Sequence, residues 1–154
     1  FTHRDYQSRN IMVLPGGEQV VIDFQDALLG PRQYDLVALL RDSYVVLDQP
    51  FIDRMLRRYL DAFHDAGGPK LDFEAFRGFF DLLTVQRKLK DAGRFVFIDR
   101  VRKNPSFLPW YGPSLVYVGR ALGHLPDLGD LDDLLHQWIP GFPDSVRAPT
   151  ANSE

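Results

Sequence analysis

Two short apolar runs, Ile11-Met12-Val13-Leu14 and Val20-Val21-Ile22, flank the stretch Pro15-Gly16-Gly17-Glu18-Gln19, with Asn10 just before the first run and Asp23 just after the second. The runs are β-prone and the stretch between them is turn chemistry, so a β-hairpin is predicted over 11–23. Antiparallel pairing brings the outer ends of a hairpin together. Asn10 and Asp23, thirteen residues apart in sequence, are therefore expected to be neighbours in space. A loop–strand–turn–strand–Asp unit thus occupies the start of the chain, a place where chains usually fray.

Beyond Gly30-Pro31 the pattern becomes helical. Leu36, Leu39 and Leu40 share a stripe, and Asp35 falls in the first turn, where negative charge suits the helix dipole. A second helix is predicted from about Pro50 to Ala66, carried by Phe51, Ile52, Met55, Leu56, Tyr59, Leu60 and Phe63 and stopped by Gly67-Gly68-Pro69. Residues 71–103 read as one long helix or two, opened by Asp72 as N-cap, with Gly93 as the place for a kink. A further apolar pattern covers 110–122, where Gly112-Pro113 is expected to interrupt any continuous helix, and a short helix covers 131–138. The polar tail 147–154 is expected to be disordered. The prediction is a mainly α chain of about five helices with one small hairpin, forming a single lobe over 1–146.

Composition narrows the chemistry. A chain of 154 residues, 45% of them hydrophobic, can bury one domain core. With no cysteine, disulfides and thiolate metal sites are excluded, and His3, His64, His124 and His136 show no H-x-x-x-H spacing. The net charge of -3 offers no general attraction for nucleic acid or an anionic membrane, so neither is expected as a partner. No apolar run approaches the roughly 20 residues of a membrane span, and residues 1–15 lack a signal-peptide pattern. A soluble cytoplasmic protein is the simplest reading.

The polar residues around the hairpin form a recognisable set. His3-Arg4-Asp5 and Asn10 fit H-R-D-x-x-x-x-N, and Asp23 follows in Val20-Val21-Ile22-Asp23-Phe24. Phosphoryl transfer needs such a set: a carboxylate that orients the attacking hydroxyl and takes its proton, and oxygen ligands that hold Mg²⁺ against the nucleotide phosphates. Asp5 would be the base, with Asn10 and Asp23 the ligands. His3, beside the base, is read as a hydrogen-bonding strut rather than a proton carrier. Asp26 is either a further phosphate-side or metal-side carboxylate or a cap for the loop that follows, with the cap as the simpler reading.

The motif resembles the kinase-like phosphotransferases, and three details favour the aminoglycoside and choline kinase branch over protein kinases. Gln7 stands where a Lys usually follows the catalytic Asp by two, Asp23-Phe24 continues to Gln25-Asp26 rather than Gly, and no A-P-E follows. Within that branch, HRDYQSRN, VIDFQDALLGPRQYDLVALL and QRKLKDAGRF look like the sugar kinases that phosphorylate the anomeric hydroxyl of N-acetylmuramate or N-acetylglucosamine in cell-wall recycling. The resemblance covers about residues 2–122 and is strongest over 2–42. It implies a protein-kinase-like C-terminal lobe, ATP and Mg²⁺ as cofactors, and a small sugar as acceptor. It maps Asp5 to the catalytic base, Asn10 and Asp23 to the metal ligands, and His3 and Asp35 to support of the catalytic loop.

Such a kinase also needs an N-terminal lobe with a phosphate-covering loop and a strand-borne Lys, and this chain contains neither. The expectation is a C-lobe without its N-lobe, inactive by itself, whose uncovered face is apolar in places and favours self-association. The run Arg87–Lys103 carries seven basic side chains against Asp91 and Asp99, a surface that would repel polycationic aminoglycosides and attract a sugar bearing a carboxylate or phosphate. Arg87, Lys90 and Arg94 are candidate substrate contacts there, although a solvated helix face accounts for most of these charges. Trp110 is a candidate ring for stacking on a sugar, with core packing as its simpler role. Two other functions stay open: a kinase of choline, an aminoglycoside or another small alcohol, and a binding lobe without catalysis.

Overall fold

The structure, a computed structural model, describes residues 1–148 as two compact units, Phe1–Phe80 and the part from Asp81 onward. Of the tail predicted over 147–154, residues 149–154 lie outside the described residues.

In the first unit the hairpin forms as expected. β1 (Ile11–Val13) and β2 (Gln19–Val21) pair antiparallel, with Ile11 opposite Val21, Met12 opposite Val20 and Val13 opposite Gln19. The turn closes with the Gly17 amide on the Leu14 carbonyl and the Leu14 amide on the Glu18 carbonyl, each at 2.8 Å. Gly17 takes φ +84°, a conformation glycine reaches without steric cost, so these glycines build a hairpin turn. Past β2 the chain loops back to its own beginning. The Thr2 amide donates to the Leu28 carbonyl at 2.7 Å, and the Leu28 amide returns the bond to Thr2 at 3.1 Å. Thr2 is buried against Gly30, where an added Cβ would stand 2.8 Å from the Thr2 hydroxyl. The expected fraying is prevented by this closure.

The helix α1 (Gln33–Leu40) buries Val37, Ala38 and Leu40. The predicted stripe is thus rotated, since Leu36 and Leu39 are only half-buried. Next, α2 (Gln49–Asp65) is opened by Asp48, whose carboxylate accepts the Phe51 amide at 2.6 Å, and it buries Ile52 and Leu56 completely. The 71–103 segment is one helix, α3 (Phe73–Arg102), continuous through Gly93 and capped by Asp72, which accepts the Ala75 amide at 2.8 Å.

In the second unit, Val85 and Ala92 of α3 pack with Leu115, Val118, Ala121 and Leu122 of α4 (Tyr111–Leu122) and with Phe142. The expected interruption at Gly112-Pro113 is corrected: both residues lie in the first turn of α4, where a missing proline N–H removes no intrahelical bond. The break comes earlier. Lys103 adopts φ 55°, and a 3-10 stretch over Pro105–Trp110 follows. Finally, α5 (Gly129–Trp138) starts two residues before its predicted beginning. The chain is mainly α with one hairpin, and among the described residues no helix is long and apolar enough to cross a membrane.

Candidate active site

The loop that carries Asp5 is fastened from below by α1. The amides of His3 and Arg4 both donate to the Asp35 carboxylate, at 2.6 Å to Oδ2 and 2.9 Å to Oδ1. Asp35 sits in the first turn of α1, where the exposed helix amides already favour a negative charge. Arg4 takes φ 73°, a left-handed conformation that costs a non-glycine residue on the order of 1–2 kcal/mol, and the two bonds to Asp35 hold it there. The loop therefore presents Asp5 immediately after a strained residue.

Asp5 and Asn10 are locked to one another. The Asn10 amide nitrogen donates to the Asp5 carbonyl at 2.8 Å, and the Gln7 amide donates to the same oxygen at 2.9 Å. Between them Ser8–Asn10 forms one 3-10 turn. Asn10 in turn is tied to the far end of the hairpin, because its carbonyl accepts the Ile22 amide at 3.0 Å. His3 joins the same point: its Nε2 donates to the Ile22 carbonyl at 3.0 Å. That bond requires a proton on Nε2, and Nδ1 is buried with no hydrogen-bond partner among the described residues. Loop, hairpin and His3 thus converge on Ile22, and the next residue is Asp23.

Asp23 has φ 67°, a left-handed position that Asp tolerates better than most residues. Its Oδ1 accepts the Gln25 amide nitrogen at 2.8 Å. Neither the Asn10 side-chain oxygen nor Asp23 Oδ2 accepts a hydrogen bond among the described residues. A neutral amide oxygen and a carboxylate oxygen are the ligand types that a hard divalent cation takes alongside phosphate and water. Among the described residues no group of three or more His, Asp or Glu could hold a metal by itself, so a cation here would need ligands beyond these side chains. Asp26 contributes through its backbone: its carbonyl accepts Arg4 Nη1 at 3.3 Å.

Asp42 was not singled out from the sequence, yet it touches the same loop. It accepts the Ser8 amide at 2.9 Å and the Ser8 hydroxyl at 2.5 Å, both on Oδ2. The partners are 34 residues apart, so no local pattern reveals the contact. The available signal was electrostatic, since a carboxylate just beyond a helix C-terminus stands where the dipole disfavours it.

The candidate sugar contacts belong to the second unit. On α3, Arg87 is buried whereas Lys90 and Arg94 are exposed, and Trp110 is half-buried at the end of the 3-10 stretch. Lys88 is also buried, with its ammonium 3.3 Å from Asp91 and 5.8 Å from the centre of the Tyr117 ring. Five of the seven basic residues in the run face water, as a solvated helix face would.

Around the hairpin and loop, large apolar side chains are left uncovered within the first unit, among them Val13 and Phe24 at 68% exposure and Leu29 at 83%.

The phosphotransferase enzyme family matches over residues 1–79, which contain the whole Asp5–Asn10–Asp23–Asp35 constellation. The N-acetylmuramate/N-acetylglucosamine kinase of Pseudomonas putida is 36% identical over 143 residues, covering 90% of this chain and 41% of that protein. Proteins of the same name from Neisseria meningitidis and Pseudomonas aeruginosa are 37% and 38% identical, covering 90% and 88% of this chain. The chain spans 40–42% of the length of these curated relatives. With half its length matched by the family and its loop, hairpin and aspartates inside that match, the chain belongs to the phosphotransferase enzyme family.

Proposed function

We propose that this chain is the C-terminal lobe of a cytoplasmic small-molecule kinase that transfers the γ-phosphate of ATP to the anomeric hydroxyl of N-acetylmuramate or N-acetylglucosamine. The observation that supports the chemistry is the double tie of Asn10, through its side chain to the Asp5 carbonyl and through its backbone to Ile22, which joins the loop of Asp5 to the end of the hairpin just before Asp23. The choice of acceptor draws on the relatives' names, and the exposed charges of Lys90 and Arg94 suit an anionic sugar better than a polycation.

In this reading Asp5 orients the acceptor hydroxyl and takes its proton. The hydroxyl oxygen forms the new bond to the γ-phosphorus while the bond from phosphorus to the ADP oxygen breaks. Asn10 and Asp23 would hold Mg²⁺, which supplies charge neutralisation at the phosphates. His3 and Asp35 keep the loop in place through Ile22 and through the amides at its start. Arg87, Lys90, Arg94 and Trp110 are assigned to the sugar. The nucleotide's remaining contacts fall to an N-terminal lobe outside this chain, so the chain alone is expected to be inactive, and its uncovered apolar face to favour self-association.

Asp5→Asn in the full-length protein tests the assignment. Turnover should fall by about 10²- to 10⁴-fold, the usual contribution of a general base, with nucleotide affinity within about threefold of wild type. Unchanged turnover would remove Asp5 from the role.

A further inference from the structure

Asp42 is a carboxylate in a costly place. It lies two residues past the end of α1, where the helix dipole repels negative charge, and it is only 2% exposed, so it has lost nearly all its water. Three donors compensate: the amide and hydroxyl of Ser8 on Oδ2, at 2.9 and 2.5 Å, and the Tyr44 amide on Oδ1 at 2.9 Å. The residue after Ser8 reinforces the contact. The Arg9 guanidinium lies 3.4 Å from the centroid of the Tyr44 ring. Ser8-Arg9 is therefore docked onto the segment that leaves α1.

The loop is thereby pinned at two points by carboxylates from the two ends of a single helix. Asp35 holds His3 and Arg4, and Asp42 holds Ser8. Asp5 lies between the pins and Asn10 lies two residues beyond the second. With Asp35 alone, the Gln7–Asn10 turn would be held only by its bonds to the Asp5 carbonyl and to Ile22, whereas the second pin anchors its middle to the segment leaving α1 and stiffens the spacing of Asn10 and Asp5. We propose that Asp42 is a positioning residue for phosphoryl transfer, acting through Ser8 to hold the spacing of Asp5 and Asn10. This rests on the kinase reading above. Displacing a reacting group by about 1 Å can cost on the order of 10²-fold in rate, so a second pin has a kinetic consequence that a stability role alone would not have.

The test uses the full-length protein with whichever acceptor it phosphorylates, and compares Asp42→Ala, Asp42→Asn, Ser8→Ala and the pair Ser8→Ala/Asp42→Ala, with Asp5→Asn as control. Asp42→Ala should lower kcat on the order of 10- to 100-fold while both KM values stay within about threefold. Asp42→Asn, whose oxygen still accepts from Ser8, should recover part of that loss. The pair should be no slower than Asp42→Ala alone, because both changes cut one link. A kcat for Asp42→Ala within about twofold of wild type, or losses that multiply in the pair, would overturn the proposal. Should Asp42→Ala fail to fold, Asp42→Asn and Ser8→Ala carry the same comparison, and wild-type kcat in both overturns it. The control separates the two levels. If Asp5→Asn retains turnover, the kinase reading of the site falls and this proposal with it. If Asp5→Asn is dead and the Asp42 variants turn over normally, only the positioning role falls. Amide exchange that quickens at Ser8–Asn10 in Asp42→Ala while His3 and Arg4 stay protected would support the two-pin arrangement, and unchanged exchange there would count against it.

Discussion

At the scale of single residues, the site depends on side chains whose work is to hold backbone. Asp35 gives both of its oxygens to main-chain amides, and those amides belong to the two residues preceding Asp5. Asp35→Ala would leave both donors without their partner, which should cost about 1–3 kcal/mol in stability. Turnover of the full-length enzyme should fall as well, because Arg4 would be released from its left-handed conformation. Thermal unfolding and kcat measured on the same preparation check both effects, and a variant with wild-type values of each would contradict the role. Asp35 was legible in the sequence because a first-turn acid has a local reason to be there. Asp42 was not, since its reason lies 34 residues away.

At the scale of elements, the hairpin and α1 act as a clamp on the loop between them. The hairpin was readable because turn residues and alternation are local, and the predicted proximity of Asn10 and Asp23 follows from the pairing of Ile11 with Val21. Helix existence was readable for the same reason. What failed was finer: the buried stripe of α1 is rotated, and Gly112-Pro113 opens a helix that it was expected to break. Proline excludes a helix interior but fits a first turn, and only the course of the preceding residues decides which applies. In the second unit, α4 begins at Tyr111, whose phenol is pushed above its ordinary pKa of 10.0 by burial. A raised folded-state value means the neutral form is favoured by folding. The stability it contributes is complete below pH 10.0 and is lost as pH rises through the folded-state pKa. Tyr111→Phe should therefore flatten the alkaline fall in unfolding temperature, and an alkaline slope equal to wild type would contradict it.

At the scale of the whole molecule, the chain carries the residues proposed for proton transfer and for a metal, and large apolar side chains of the same hairpin and loop are exposed. The phosphotransferase family was legible because its polar residues stand at a spacing that a hairpin imposes. The acceptor was less so, because sugar recognition draws on long-range packing: of the basic residues proposed for it, Arg87 is buried whereas Lys90 and Arg94 face water. The central claim is that these 154 residues are the C-lobe of a sugar kinase that needs a second lobe to work. It is tested most directly by a coupled assay of N-acetylmuramate and N-acetylglucosamine phosphorylation, with the full-length protein and this chain side by side. The account predicts sugar phosphate formation by the full-length protein and none by the chain alone. Full turnover by the chain alone, or none by the full-length protein on either sugar, would contradict it.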